Sequence, residues 1–173
     1  MIVELGSLDR EPHPFQLSVP AGDLDLELEN VRIDGKVEAK GEIVRHAVQT
    51  DVRGTITAPI EVDCVRCLGP VERTLDVSFH VSYVSPEHFA ADKEKEVTAD
   101  DLETDILVDD RLDLKDLVRE QILLDIPLQV FCSENCKGLC AKCGGNLNLL
   151  DCKCTEGDID PRWAALRDAG NRN

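Results

Sequence analysis

From Val52 to Tyr83 the chain reads VRGTITAPIEVDCVRCLGPVERTLDVSFHVSY, and this segment decides the fold. Apolar and polar residues alternate along both of its halves, which is typical of strands that bury one face. Its middle, CVRCLGP, interrupts the alternation and contains a Gly-Pro turn signal. The segment therefore predicts a long antiparallel hairpin that carries Cys64 and Cys67 at its tip.

Weaker patterns on either side of the hairpin predict how the sheet continues. Residues 24–29 alternate leucine with acidic residues and are expected to form a half-buried strand. An Asp-Gly turn signal at residues 34–35 is followed by a less regular alternation over residues 36–48, which predicts another strand. Residues 85–105 contain a mixed charge run and are expected to form a solvated loop.

Two helices are expected in the C-terminal half. Asp113 begins a helix signature in which apolar residues recur at helical spacing, and Pro127 ends it. Asp160 suits an N-cap and Pro161 suits the first helical position, so residues 160–167 predict a second, short helix.

Length and composition limit the class of protein. The chain contains 173 residues, of which 42% are apolar, so it can bury a sizeable core. No apolar run approaches the roughly 20 residues that span a bilayer. The N-terminal residues include an acid at position 4 and no basic region, which argues against a signal peptide. We therefore expect a cytoplasmic protein without membrane association, in a compartment that keeps thiols reduced.

The most informative feature for function is a set of eight cysteines, because clustered cysteines in a reducing compartment indicate metal binding rather than disulfides. Structural zinc takes four ligands in a tetrahedron, commonly from two cysteine pairs that lie apart in the sequence. The sequence therefore predicts two structural zinc ions. Four closely spaced pairs would supply the ligands: Cys64 and Cys67, Cys132 and Cys136, Cys140 and Cys143, and Cys152 and Cys154.

The spacing alone leaves two groupings of these pairs open. In one grouping the hairpin pair joins the second pair, and the third pair joins the fourth in a compact C-terminal site. In the other grouping the second and third pairs surround one ion, so that the hairpin pair would need the fourth pair. If Cys152 and Cys154 do not reach the hairpin tip, Cys64 and Cys67 lack partners in that second grouping. Two complete sites predict close to two zinc ions per chain.

Catalysis is not predicted. A catalytic zinc keeps an open position and normally has histidine or carboxylate among its ligands. The four histidines, at positions 13, 46, 80 and 88, are not in metal-like spacing with a cysteine pair, and no HExxH motif or glycine-rich phosphate loop is present. The two CxxC pairs do not open a helix in a strand–helix unit, as redox motifs do. We expect neither enzymatic activity nor a small-molecule substrate.

The distribution of charge suggests what kind of partner the protein has. The formal net charge of −16 lies entirely in residues 1–130, because residues 131–173 contain six basic and six acidic side chains. An acidic field repels phosphate backbones and attracts basic partners. Contact with RNA or a partner is therefore expected at the balanced tail, through the basic residues Lys137, Lys142, Lys153, Arg162 and Arg167.

These patterns together predict an α+β fold, namely a twisted antiparallel β-sheet with a packed helix and a C-terminal cysteine-rich zinc knuckle. We expect residues 1–130 to form the sheet-plus-helix domain. Residues 131–173 are expected to form a cysteine-rich, zinc-binding tail packed on that domain. A site that joins the hairpin tip to the tail would close a long loop and contribute directly to folding.

The order of motifs resembles one known family. The sequence CVRCLGP lies between two strands, a helix leads into LLDIPL at residues 123–128, and CKGLCAKCGGNLN follows at residues 136–148. The chain continues with CKC at residues 152–154 and DPRW at residues 160–163. This arrangement resembles the YceD family of large ribosomal RNA subunit accumulation proteins. The resemblance covers about residues 20–170, and the GLCxxCGxNLN stretch is its most specific part.

The resemblance implies a non-catalytic ribosome biogenesis factor that supports accumulation or processing of large-subunit (23S) rRNA. Its partner would be a large-subunit precursor, a basic ribosomal protein or an assembly factor. Some members lack the C-terminal cysteines but keep the hairpin CxxC and a cysteine matching Cys136, which favours joining the hairpin pair to Cys132 and Cys136. Two rival functions remain open, a zinc-containing RNA-binding module and an RNA-processing enzyme.

Overall fold

The protein is described by a computed structural model over residues 1–86, 104–107 and 110–154. Eight strands, one α-helix and two single-turn 3-10 helices are found in this part of the chain. The strands are β1 (Ile2–Glu4), β2 (His13–Pro20), β3 (Val31–Ile33), β4 (Lys36–Arg45), β5 (Gln49–Asp63), β6 (Pro70–Val84), β7 (Thr104–Ile106) and β8 (Arg111–Asp113), and the helix is α1 (Leu114–Asp125).

The main sheet has six strands, five of which lie side by side in the order β2-β4-β5-β6-β7. The sixth strand, β3, pairs with the C-terminal end of β5, beyond the first residues of β4. Its pairings are antiparallel except for β6 with β7, which run parallel. β1 and β8 form a separate antiparallel pair. The predicted α+β class, with an antiparallel sheet and one helix, is confirmed.

The hairpin β5–β6 is the centre of the sheet, and it confirms the alternation in the sequence. The two strands pair without interruption from Gln49↔Val84 to Asp63↔Pro70. The apolar residues of one parity, such as Val52 and Ile56, are fully buried. The hairpin therefore positions the CVRCLG loop at its tip, as predicted.

A pair of glycines lies where β4 and β5 pair side by side. Gly41 is directly opposite Gly54 in the register. A Cβ on either glycine would overlap the backbone of the neighbouring strand, and aromatic rings from Phe15 and Phe79 lie over the two positions. This close approach requires glycine at both positions, and the rings cover the surface that the missing side chains leave.

Helix α1 begins and ends where the sequence predicts. The Asp113 side chain accepts a hydrogen bond from the backbone N–H of Lys115 and so caps the first turn. The apolar stripe packs on the sheet, with Leu114, Val118 and Ile122 fully buried. Among the described residues no helix is long and apolar enough to cross a lipid bilayer.

The strand predicted over residues 24–29 is wrong. Leu24 and Leu26 are buried, as the alternation suggested, but the segment pairs with no strand among the described residues. Glu27 has a φ of 56°, which is incompatible with an extended strand. The Arg119 Nε of α1 donates to the Asp25 carbonyl oxygen at 2.6 Å, so side chains rather than a ladder hold this segment on the core.

Other elements were missed by the sequence patterns. β1 and β2 lie within residues 1–20, where no strand is predicted, and β7 begins inside the loop expected over residues 85–105. β7 has only three residues, too few to show a period. The short helix predicted over residues 160–167 lies outside the described residues.

The segment after α1 brings the tail to the hairpin tip. The Val65 N–H donates to the carbonyl oxygen of Val130 at 2.9 Å, and the Val130 side chain is buried. Cys132 follows two residues later and meets the hairpin cysteines. The tail therefore contacts the sheet domain at the tip, while the predicted domain division at residue 130 stays a prediction.

Candidate metal centres

The eight cysteines gather into two groups of four. Within each group all four sulfur atoms lie within 4.8 Å of one another. The first cluster consists of Cys64, Cys67, Cys132 and Cys136, and the second cluster consists of Cys140, Cys143, Cys152 and Cys154. Of the two groupings that the spacing left open, the structure shows the one that joins the hairpin pair to the second pair.

The first cluster is built on a tight turn at the hairpin tip. The Cys64 N–H donates to the Gly69 carbonyl oxygen at 2.8 Å, and the Leu68 N–H donates to the Cys64 carbonyl oxygen at 2.9 Å. Leu68 adopts a left-handed φ of 54° to close the turn. Cys64, Cys67 and Cys136 are buried, whereas Cys132 is exposed.

The second cluster repeats this turn with different residues. The Cys140 N–H donates to the Gly145 carbonyl oxygen at 2.8 Å, and the Gly144 N–H donates to the Cys140 carbonyl oxygen at 2.9 Å. Gly144 has a φ of 70° and stands where Leu68 stands in the first turn. Cys152 and Cys154 complete this group from a short returning segment. The two clusters therefore share one backbone design.

The sulfur–sulfur distances fit a tetrahedral metal site. A zinc–sulfur bond of about 2.3 Å places the corners of a tetrahedron about 3.8 Å apart. In the first cluster the sulfur atoms of Cys64 and Cys136 are 3.9 Å apart, and those of Cys67 and Cys132 are 3.6 Å apart. In the second cluster the sulfur of Cys152 lies 3.7 Å from that of Cys143 and 3.4 Å from that of Cys140. Each four-thiol group is therefore able to hold a metal ion that prefers sulfur.

Backbone amides set the protonation of the thiols. Burial acts to raise the pKa of Cys64, but backbone amides, above all that of Cys67, lower it to about 6. The backbone amides of Cys143 and Lys142 lower the pKa of Cys140 to about 6 as well. Each cluster thus contains a thiol that ionises readily, which suits metal binding because the thiolate is the ligand.

Other thiols of the same clusters hold their protons more tightly. Sharing of its proton with the sulfurs of Cys136 and Cys67 raises the pKa of Cys132 to about 12. The neighbouring sulfurs of Cys152 and Cys143 raise the pKa of Cys154 to about 12 in the same way. A metal ion that binds all four sulfurs must therefore displace protons, which makes its affinity depend on pH.

Two side chains around the first cluster were not singled out by the sequence patterns. Arg66 donates to the carbonyl oxygens of Cys136 and Glu134 at 3.1 and 3.3 Å, and its guanidinium lies 4.6 Å from the centre of the Phe131 ring. Asn148 donates from Nδ2 to the Cys136 sulfur at 3.3 Å. In the sequence, Asn148 belongs to the NLN motif, but no local pattern reveals its contact with the other cluster.

The predicted contact residues are only partly described. Lys137, Lys142 and Lys153 are exposed, and each adjoins a cysteine of one of the clusters. Arg162 and Arg167 lie outside the described residues. That any of these five residues contacts RNA or a partner stays a prediction.

Fold and clusters together define a class of protein: a mostly antiparallel sheet with a packed helix, in which the hairpin tip and the tail carry two four-cysteine groups able to hold metal ions. The model of one family, "Large ribosomal RNA subunit accumulation protein YceD", matches residues 52–168. Because this match spans more than half of the chain, the chain belongs to the YceD family. The resemblance found in the motifs is thereby confirmed.

Curated relatives agree with this membership. An uncharacterized protein of Mycobacterium leprae is 32% identical over 138 residues, which cover 80% of this chain and 58% of the relative. The uncharacterized protein YlbN of Bacillus subtilis is 28% identical over 95% of this chain and 92% of its own length. A maize protein named as a chloroplastic YCED homolog 1 is 28% identical over 87% of this chain and 59% of its own length.

The relatives differ in length from this chain. The chain spans slightly less than three fifths of the mycobacterial relatives that it matches. No solved structure matches the chain.

Proposed function

We propose that this protein is a non-catalytic ribosome biogenesis factor that supports large-subunit rRNA accumulation in the cytoplasm, with structural zinc in both cysteine clusters. The observation that carries the proposal is the family match over residues 52–168, because the family is named for large ribosomal RNA subunit accumulation. The maize relative is named for the same process. The two clusters supply the physical basis for the zinc.

The donor set supports zinc in a structural role. Four thiolates fill a tetrahedron and leave no position for water or substrate, whereas catalytic zinc keeps one position open. In the first cluster Cys64 and Cys136 lie 72 residues apart in the chain, so one ion would link the hairpin tip to the tail. A link of this kind adds its binding free energy to folding. The ions would therefore stabilise the fold.

The charge distribution supports a protein partner. The acidic residues 1–130 would attract a basic ribosomal protein, an assembly factor or a large-subunit precursor that presents such a protein. The exposed lysines beside the clusters are where additional contact with rRNA would be tolerated electrostatically. In this proposal the sheet provides the acidic surface and the metal clusters hold the tail in place.

The test is a pull-down of the tagged full-length protein from growing cells, followed by identification of the rRNA and proteins. We expect large-subunit precursors, and depletion of the protein should lower mature 23S rRNA relative to 16S rRNA. A variant with Cys64 and Cys67 replaced by serine should recover less precursor. Recovery of neither rRNA nor ribosomal proteins by the wild-type protein would refute the proposal.

One rival function, direct RNA binding, is favoured by a specific observation, namely the exposed lysines beside the clusters. Binding of the purified protein to precursor rRNA fragments, measured at several salt concentrations, distinguishes the proposed assembly factor from an RNA-binding module. Our proposal expects weak binding, whereas tight binding with a steep salt dependence would favour an RNA-binding module. The other rival function is an RNA-processing enzyme. Incubation of the purified protein with the same fragments and magnesium tests for cleavage, and we expect the fragments to remain intact.

A further inference from the structure

Asn148 connects the two clusters, although its position in the chain places it in only one of them. It lies between Cys143 and Cys152, two ligands of the second cluster. Its side chain, however, points to the first cluster, where Nδ2 donates to the Cys136 sulfur at 3.3 Å. The hydrogen bond therefore depends on how the second cluster folds, yet it acts on a sulfur of the first.

The surrounding hydrogen bonds fix which end of the amide faces the sulfur. The Asn146 Oδ1 accepts from the backbone N–H of Asn148 at 3.0 Å, so this atom is an oxygen. The Asn148 group that also contacts it, at 2.9 Å, must therefore be the NH₂ group. The remaining oxygen of Asn148 accepts from the Lys137 backbone N–H at 2.8 Å. The amide is thus held at three points with its donor directed at Cys136.

The backbone around Asn148 is shaped by the second cluster. Leu139 and Asn146 form an isolated antiparallel bridge, and the Leu147 N–H donates to the Gly138 carbonyl oxygen at 2.9 Å. The Leu150 N–H donates back to Asn146 at 2.9 Å. This compact turn lies between the Cys140–Cys143 pair and Cys152, so closure of the second cluster confines it.

We propose that Asn148 is a positioning residue through which the second cluster strengthens metal binding at the first. This inference rests on the part of the proposed function that places zinc in both clusters. Four thiolates around a divalent ion carry excess negative charge, and an N–H donor to one sulfur disperses that charge. Loss of an outer hydrogen-bond partner of this kind typically lowers metal affinity about 10- to 100-fold.

The coupling gives the C-terminal knuckle a function beyond its own stability. With the second ion bound, Asn148 is held in place before the first ion arrives, so no further ordering is needed to form the hydrogen bond. Without the second ion, only the hydrogen bonds to residues 137–139 hold the turn from Asn146 to Leu150 beside Cys136. The turn then leaves Cys136 more readily, and the first cluster loses its donor for part of the time. Binding at the two clusters should therefore be positively cooperative, and the cooperativity should depend on Asn148.

The first test compares Asn148→Asp with a matched control, Asn135→Asp. Aspartate has nearly the shape of asparagine but cannot donate a hydrogen bond, and Asn135 is an exposed residue next to Cys136. Zinc competition with a chelator should show about 10-fold weaker binding at the first cluster in Asn148→Asp and about wild-type binding in Asn135→Asp. Asn148→Ala removes the donor without adding a charge, so it should also weaken the first cluster about 10-fold, and Asn148→Asp should weaken it at least as much.

The second test is a cycle with the second cluster removed by Cys152→Ser and Cys154→Ser. This double variant should bind one ion, with affinity reduced as in Asn148→Ala, and adding Asn148→Ala to it should reduce the affinity no further.

Cobalt substituted at the first cluster gives a readout of the hydrogen bond itself. Its thiolate-to-metal absorption should move to longer wavelength in Asn148→Ala and in the double variant alike.

Three results would overturn the inference. They are unchanged affinity of the first cluster in Asn148→Ala, an equal loss in Asn135→Asp, and additive losses in the cycle. Any of these would leave the proposed function standing, because the wild-type protein would still bind two ions. Failure of the wild-type protein to bind two zinc ions would instead refute the zinc part of the proposed function.

Discussion

At the scale of single residues, the same cysteine-bearing turn is made twice, once with glycine at the left-handed position and once with leucine. Gly144 adopts its φ of 70° without strain, but Leu68 holds a φ of 54° at a cost of roughly 1–2 kcal/mol. The Leu68 side chain is 62% exposed, so burial does not offset this cost. The surrounding hydrogen bonds and the four thiols of the first cluster must hold the turn in place.

The grouping of the cysteines leads to a prediction about zinc content. Cys64→Ser and Cys136→Ser should each reduce the content from two ions per chain to one, because both remove a ligand of the first cluster. Cys154→Ser should also reduce it to one, but by emptying the second cluster. Metal analysis of the purified variants by mass spectrometry measures the content.

Double variants separate this grouping from the one that the structure rejects. Combining Cys64→Ser with Cys136→Ser should still leave one ion, since both ligands belong to one site. Combining Cys64→Ser with Cys154→Ser should leave none. If the first combination removed both ions, these two cysteines could not belong to the same site.

At the scale of elements, the central strands of the sheet depend on two glycines as much as on their apolar residues. Gly54→Ala places a Cβ against the Lys40 carbonyl oxygen and close to Gly41, which are backbone atoms that cannot move aside independently. We expect the free energy of unfolding to fall by about 1–3 kcal/mol, as for other overpacked positions. Urea denaturation measures this change.

Gly22 provides the control for this prediction. A Cβ at Gly22 meets nothing within 4 Å, so Gly22→Ala should change stability by less than about 0.5 kcal/mol. Equal effects of the two substitutions would mean that the close approach of β4 and β5 does not determine the outcome.

Helix α1 gives a second prediction at this scale, for its N-cap. Asp113→Ala removes the hydrogen bond to the Lys115 N–H and should lower the free energy of unfolding by about 1 kcal/mol at pH 7. Asp125→Ala, at the other end of the helix, should cause no loss, because an acid near a helix C-terminus is unfavourable. Thermal unfolding of the two variants distinguishes the cap from a general effect of charge.

The effect of the cap should depend on pH. Burial acts to raise the pKa of Asp113, but hydrogen bonds from the Lys115 backbone and the N-terminal amine hold it below its ordinary value of 3.8. A carboxyl group with a lowered pKa stabilises the fold above its unfolded-state pKa and ceases to do so as the pH falls through its folded-state value. The difference between wild type and Asp113→Ala should therefore be constant from about pH 5 to pH 7 and decrease below pH 3.8. A difference that persisted at lower pH would contradict the assigned cap.

At the scale of the whole molecule, the two clusters differ in what they connect. The first cluster joins residues 72 apart and links the sheet to the tail, whereas Cys140 and Cys152 of the second are only 12 residues apart. Closing a longer loop costs more entropy, so the second cluster is the easier one to form. The hydrogen bond from Asn148 then allows the local site to assist the long-range one.

Removal of metal should separate the tail from the sheet without unfolding the sheet. After treatment with a chelator, the Val65 amide, which donates to Val130, should exchange with solvent much faster. Amides in the middle of β5, such as that of Ile56, should keep their protection, because the ladder and the apolar core remain. Hydrogen exchange measured by mass spectrometry, with zinc added back as the control, tests this. Loss of protection at both positions would show that the first ion holds the whole fold together.

Local patterns in the sequence determined much of this protein. The alternation from Val52 to Tyr83 sets β5 and β6, since a period of two residues is enough to bury one face of a strand. Asp113 and Pro127 set the limits of α1 for equally local reasons. The cysteine spacing indicated metal sites, and the motifs indicated the YceD family. All of these signals lie within a few residues of the structure that they specify.

Tertiary structure decided the rest, because the deciding contacts join residues that are distant in the chain. Spacing left two groupings of the cysteines open. Contacts between the tail and the hairpin tip, from Val65 to Val130 and from Arg66 to the Cys136 carbonyl oxygen, bring Cys132 and Cys136 to Cys64 and Cys67. Residues 24–29 alternate like a strand, but Arg119 holds the segment on the core by a side-chain contact that no periodicity encodes. The contact of Asn148 with Cys136 is of the same kind. A hydrogen bond of this sort forms only when two turns are folded side by side, so no local pattern in the sequence predicts it.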